Sequence, residues 1–135
     1  MQINRDTLME LRRLRLDAQY HNAKAAEYMA RATHGTSTRR ATDMSGTGKC
    51  PLTTSAEAYG REHAAAAAST KAANAIWAQV MPLLDGVRLD ERLVIEYLYN
   101  KGMDYPDIAK SIKRNIDACY RMHGETLRAM ARAQT

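Results

Sequence analysis

Between Leu89 and Met130 three short apolar stripes are separated by two breaks, and this punctuation restricts the segment to three helices joined by tight turns. The first helix is expected to start after Asp90, whose short carboxylate can cap free backbone N–H groups, and to bury Leu93, Val94, Tyr97 and Leu98. Lys101-Gly102 stops it, with a cation in the last turn and a glycine free to turn left-handed. Asp104 starts the second helix, with Pro106 in the first turn, where its missing donor costs nothing. Tyr105, Ile108, Ala109 and Ile112 then follow the spacing i, i+3, i+4, i+7. Lys113-Arg114-Asn115 makes a tight turn, with Asn115 as cap of a third helix. That helix is expected to bury Cys119, Met122, Thr126, Leu127 and Met130 and to expose Asp117, Ala118, Tyr120, Arg121, Glu125 and Arg128.

A short helix and a tight turn would fix the third helix with its first residues projecting outward, and an α-helix fits the major groove of B-DNA. Positive groups stand where phosphates would run. Lys110, Lys113 and Arg114 precede the third helix, and Arg121 and Arg128 lie along it. The candidate DNA-binding residues are therefore Lys110, Lys113, Arg114, Asn115, Ile116, Asp117, Tyr120, Arg121 and Arg128. Each has a plainer reading beside the functional one. Tyr120 either covers the helix junction with its ring or reaches a phosphate through its hydroxyl. Arg121 is either a solvated helix residue or a guanine or phosphate contact, and Ile116 either packs on Ile112 or touches a thymine methyl. Asp117 is tolerable at a groove where it accepts from a cytosine amine, and unfavourable where it meets phosphate.

At these residues the sequence resembles a family of phage and prophage transcription regulators, the ArpU and RinA type, whose C-terminal domain is similar to sigma factor region 4. The shared pattern is Glu91-Arg92-Leu93-Val94, then Tyr97-Leu98-Tyr99-Asn100-Lys101-Gly102-Met103, Ile108-Ala109, Tyr120-Arg121-Met122-His123 and Thr126-Leu127. It covers roughly the last third of the chain. The resemblance implies sequence-specific binding of double-stranded DNA in control of phage genes, late ones above all, in the cytoplasm of a bacterial host. It also places His123 where it can hydrogen-bond within the domain. Relatives commonly carry a serine or threonine cap and a first-turn threonine in the recognition helix, where this chain has Asn115 and Ala118.

Upstream, residues from Asp6 to about Ala32 contain no glycine or proline, and Leu11, Ala18, Ala25 and Ala32 recur every seven residues, with Leu14 and Tyr28 on the same side. From about Ser55 to Met81 the matching stripe is Ala66, Ser69, Ala73, Ile76 and Val80, and Pro82 ends or kinks that helix. Alanine seams bury little area per residue, so such a hairpin needs a second hairpin or the C-terminal helices for stability. The expected fold is all-α: a helical hairpin over 1–85 with a flexible loop at about 34–54, serving oligomerisation, then a helix-turn-helix domain over 86–135. A homodimer or higher homo-oligomer is the natural partner, and host RNA polymerase is a further candidate.

Other classes are weakened by composition. The net charge of +5 over 135 residues is modest and no segment is a basic tail, so affinity for nucleic acid would have to come from placed contacts or dimerisation. No apolar run is long enough for a membrane span, and no apolar core follows the first charges as a signal peptide would require. Ser45-Gly46-Thr47-Gly48-Lys49 only superficially resembles a phosphate-binding loop: Asp43 stands where its first glycine belongs, and Cys50 replaces the magnesium-binding hydroxyl. His21, His34, His63 and His123 are scattered, and Cys50 and Cys119 have no metal spacing. Neither catalysis nor a cofactor is expected. Two rival readings remain open at this point, a small terminase-like packaging protein and a helical interaction module that reads no DNA.

Overall fold

The computed structural model describes residues 2–38 and 51–135, with side chains from 2–33 and 54–135. The described residues are helical with short connections and contain no strand. Helix α1 spans Arg5–Thr38, α2 Pro51–Val80, α3 Leu89–Ile95, α4 Tyr105–Ile112 and α5 Ile116–Ala133. Asn4 opens α1 by accepting the Thr7 N–H on its side-chain oxygen at 3.0 Å. Both long helices extend further than their apolar stripes. α1 continues to Thr38, and α2 starts at Pro51, a first-turn position that needs no N–H, so residues 34–38 and 51–54, expected as loop, are helical. The Ser45–Lys49 run and Cys50 lie outside the described residues. α2 ends where Pro82 was expected to end it, passing into a tight 3-10 turn over Met81–Leu84. No helix among the described residues is long and apolar enough to cross a membrane.

The chain divides into two compact units, and the division cuts through both long helices rather than falling at 85/86. One unit is Met1–Leu16 with Thr70–Thr135, and the other is Asp17–Ser69.

In the second unit the described buried side chains are all alanines: Ala18 and Ala25 from α1, Ala58 and Ala66 from α2. A polar cluster joins the two helices beside them. Ser69 Oγ donates to Asp17 Oδ2 at 2.6 Å, and His21 is hydrogen-bonded through Nδ1 to Glu62 while its Nε2 lies 3.5 Å from Asp17 Oδ1.

The first unit holds the large core. Leu8, Leu11 and Leu14 of α1 and Ala73, Val80 and Leu84 are buried in one cluster with Val94, Ile95, Leu98, Tyr99, Ile108, Cys119, Met122 and Met130. The ends of the chain are tied together at the same place. Gln134 accepts the Ile3 N–H on Oε1 at 2.6 Å and donates to the Ile3 carbonyl through Nε2 at 2.7 Å.

Two features of α3 differ from the sequence expectation. Its first residue is Leu89, with Arg88 at the cap position, so Asp90 sits inside the first turn, where its Oδ1 still accepts a free backbone donor, the Glu91 N–H, at 2.9 Å. Its buried face is Val94, Ile95, Leu98 and Tyr99, whereas Leu93 and Tyr97 are half-buried; the stripe is shifted by one residue. The helix then widens into one π turn over Glu96–Asn100, where the Lys101 N–H reaches back to the Glu96 carbonyl at 3.1 Å. Gly102, at φ 70°, makes the left-handed stop that its position predicted.

Candidate nucleic-acid interface

The candidate surface begins with how α4 and α5 are held. α4 buries Ile108 and Ala109 and half-buries Tyr105 and Ile112 against the core, which leaves Asp107, Lys110 and Ser111 outward. Asp104 has the extended backbone of a helix cap, yet its side chain caps nothing; it binds Arg12 instead, with Arg12 Nη2 at 3.0 Å from Oδ1. Arg12 also donates through Nη1 to the Leu98 carbonyl at 2.6 Å and the Met103 carbonyl at 2.8 Å. These carbonyls are available because the π turn and the glycine stop draw backbone donors elsewhere: the Met103 N–H goes to the Tyr97 carbonyl at 2.9 Å. A residue near the amino terminus therefore locks the joint between α3 and α4. Sequence reasoning missed it, since Arg12 lies 92 positions before Asp104 and nothing local marks it.

The turn after α4 is made by Lys113, at φ 58° and ψ 45°, the one positive-φ residue other than glycine among those described. The Arg114 N–H then bonds the Ala109 carbonyl at 3.0 Å, closing the helix end. Asn115 caps α5 as expected, accepting the Ala118 N–H on Oδ1 at 2.7 Å. α5 buries Cys119, Met122, Thr126 and Met130, and the Thr126 hydroxyl donates back to the Met122 carbonyl at 2.7 Å, which satisfies the buried oxygen. Ala118 is half-buried against the core rather than on the outer face where the sequence put it. Gly124, inside α5, has no close neighbour to make room for: a Cβ there would meet only the Arg128 guanidinium, at 3.6 Å.

All nine candidate residues, Lys110, Lys113, Arg114, Asn115, Ile116, Asp117, Tyr120, Arg121 and Arg128, are exposed. Ile116 and Tyr120 keep 38% and 54% of their surface, large values for apolar and aromatic side chains that the core could have taken. Tyr120 does cover the helix junction, with its ring 4.3 Å from that of Tyr105. Arg114 is held by Asp90, Nη2 to Oδ2 at 3.2 Å, and Arg88 reaches the same oxygen at 3.4 Å. Arg88 and Asp90 were not among the expected site residues. With Arg114, Arg121 and Glu125 they line a groove of about 330 Å³ between the start of α3 and α5. The surface is of mixed sign, with Asp107, Asp117 and Glu125 set among the cations.

A second, smaller cavity of about 230 Å³ lies behind Tyr105, lined by Arg5, Met9, Arg12, Leu98, Tyr99, Asp104 and His123. Here His123 makes the internal hydrogen bond that the resemblance implied, Nε2 to the Tyr99 hydroxyl at 2.5 Å. Burial, and then the positive charge of Arg5, lower the His123 pKa, so the ring is neutral near pH 7. Burial raises the Tyr99 pKa and pushes that of Tyr105 up to about 12, so both keep their O–H.

Compared with protein-family models, with curated proteins and with solved structures, the chain has no match in any of the three.

Proposed function

We propose that this chain is a sequence-specific, double-stranded DNA-binding transcription regulator of phage type, in which α4, the turn Lys113–Asn115 and α5 work as a sigma region 4-like helix-turn-helix. The observation that carries the reading is the combination of a capped α5 and a left-handed Lys113 with nine exposed candidate residues at the end of α4, along the turn and on one face of α5. With α5 in the major groove, Arg121 and Asp117 near its start would face base edges, and Ile116 would offer its side chain to a thymine methyl. Lys110, Lys113, Arg114 and Arg128 would lie toward the backbone and set the register. Because the net charge is only +5, non-specific attraction is weak, and two copies on two half-sites would supply the affinity that one lacks.

The experiment is selection of bound fragments from random duplex DNA, followed by gel shifts on the selected site over a salt series. Arg121→Ala should cost about 1–3 kcal/mol and relax preference at one position, and Lys113→Ala should reduce the salt slope by about one. If neither substitution changes affinity or slope, this face is not the one that meets DNA. A two-fold symmetric selected site would identify the binding form as a dimer.

A further inference from the structure

We propose that the cavity formed by Arg5, Tyr99, Tyr105 and His123 is a binding site for a tetrahedral oxyanion, supplied either by a phosphodiester of bound DNA or by a free phosphate-like ion. The first source rests on the proposed function, and the second does not. At about 230 Å³ the cavity is below the roughly 300–1,000 Å³ of sites for drug-sized ligands, so it suits one small group.

Its charge favours an anion. Arg12 and Asp104 neutralise each other at 3.0 Å, and the remaining Arg12 donor is taken by two backbone carbonyls. That leaves Arg5, which has no carboxylate within ion-pair distance among the described residues, as the uncompensated cation of the lining. The Tyr105 hydroxyl has no hydrogen-bond partner among the described residues, and it stays protonated, so it is a spare donor. His123 uses Nε2 for Tyr99 and is neutral when the cavity is empty. An anion beside it would favour the charged ring, so binding takes up a proton. Met9 and Leu98 supply the apolar remainder of the wall, where a charge-assisted hydrogen bond is less screened than in open water. Tyr105 is also the ring on which Tyr120 of the exposed α5 face rests, so the cavity adjoins the candidate interface.

The test uses the full chain and Arg5→Gln. Arg5 is the exposed first residue of α1, so the variant should melt as wild type does in chloride. In one arm, the His123 ring is titrated by NMR in sodium sulfate and in sodium chloride at equal ionic strength. Sulfate should raise its pKa by half a unit or more in the wild type and leave it unmoved in Arg5→Gln. In the other arm, the salt dependence of duplex binding is compared, and Arg5→Gln should lower the slope by about one if a DNA phosphate occupies the cavity. A sulfate response with an unchanged slope assigns the site to a free anion, and a lowered slope without a sulfate response assigns it to the phosphodiester. An unmoved His123 together with a wild-type slope overturns the proposal. A chain that binds no duplex at all overturns the proposed function instead, and the sulfate titration alone then decides the cavity.

Discussion

Lys113 occupies a backbone conformation that disfavours any side chain with a Cβ, by roughly 1–2 kcal/mol relative to right-handed geometry. Glycine would relieve that cost and lose some of it again through greater freedom in the unfolded chain. Lys113→Gly should therefore raise stability by up to about 1 kcal/mol, read as a higher urea midpoint at unchanged m-value. Under the proposed function the same substitution should also weaken DNA binding. A lower midpoint in the glycine variant would show that the side chain itself supports the turn. Arg12 is the opposite case, a charged side chain whose three bonds are all internal. Removing it leaves the Leu98 and Met103 carbonyls without their donor, so Arg12→Ala should cost about 2–3 kcal/mol, whereas Arg13→Ala on the neighbouring exposed surface should cost below about 0.5 kcal/mol. Equal losses in denaturant titrations of the two variants would refute the locking role.

The helices differ in how openly the sequence states them. α5 was legible because cap, apolar spacing and polar outer face agree, and Asn115, Cys119, Met122, Thr126 and Met130 stand as expected. The face of α3 was read one residue out of register because Tyr99 goes inward to meet His123, a partner 24 positions away that no local spacing reveals. The π turn at Glu96–Asn100 has no local signal either; it follows from matching that buried face to a stop at Gly102. The polar cluster between α1 and α2 was likewise hidden, since only Ser69 of its members fell on an expected seam. It gives the two helices a pH response of its own. The Glu62 hydrogen bond, with help from Asp17, raises the His21 pKa above the ordinary 6.5, so its stabilisation is complete below pH 6.5 and is lost as pH rises through the folded value. His123 has the reverse sign. Its pKa is lowered, so its contribution is present above pH 6.5 and is lost as pH falls through the folded value. Hydrogen exchange should accordingly show amides near His21 better protected at pH 6 than at pH 8, after correction for intrinsic rates, and amides near His123 better protected at pH 7 than at pH 5. His21→Gln should abolish the first trend and leave the second. Parallel trends in both regions would contradict the assignment.

At the scale of the molecule, the sequence indicated a joint near 85/86 because Pro82 and Gly86 interrupt the helical pattern there, but interruption of secondary structure does not mark the edge of a core. The apolar faces of α3, α4 and α5 are closed by Leu8, Leu11, Leu14, Val80 and Leu84, all of which lie before the joint. Leu8, Leu11 and Leu84 are each completely buried, and exposing such side chains costs about 1.5–3 kcal/mol apiece, roughly 5–9 kcal/mol for the three. Small domains have only about 5–15 kcal/mol of net stability, so a fragment of residues 86–135 should lack a cooperative thermal transition and bind no DNA. The converse chain keeps the core and discards the alanine seam. Ser69 Oγ lies 2.6 Å from Asp17 Oδ2, so the two backbones are close enough for a short glycine-serine turn to replace residues 18–68. That chain should melt cooperatively in circular dichroism and retain the His123–Tyr99 hydrogen bond as a depressed histidine pKa. A cooperative 86–135 fragment would show that the C-terminal helices do not depend on the start of α1, and a shortened chain that does not fold would show that the core needs residues 18–68.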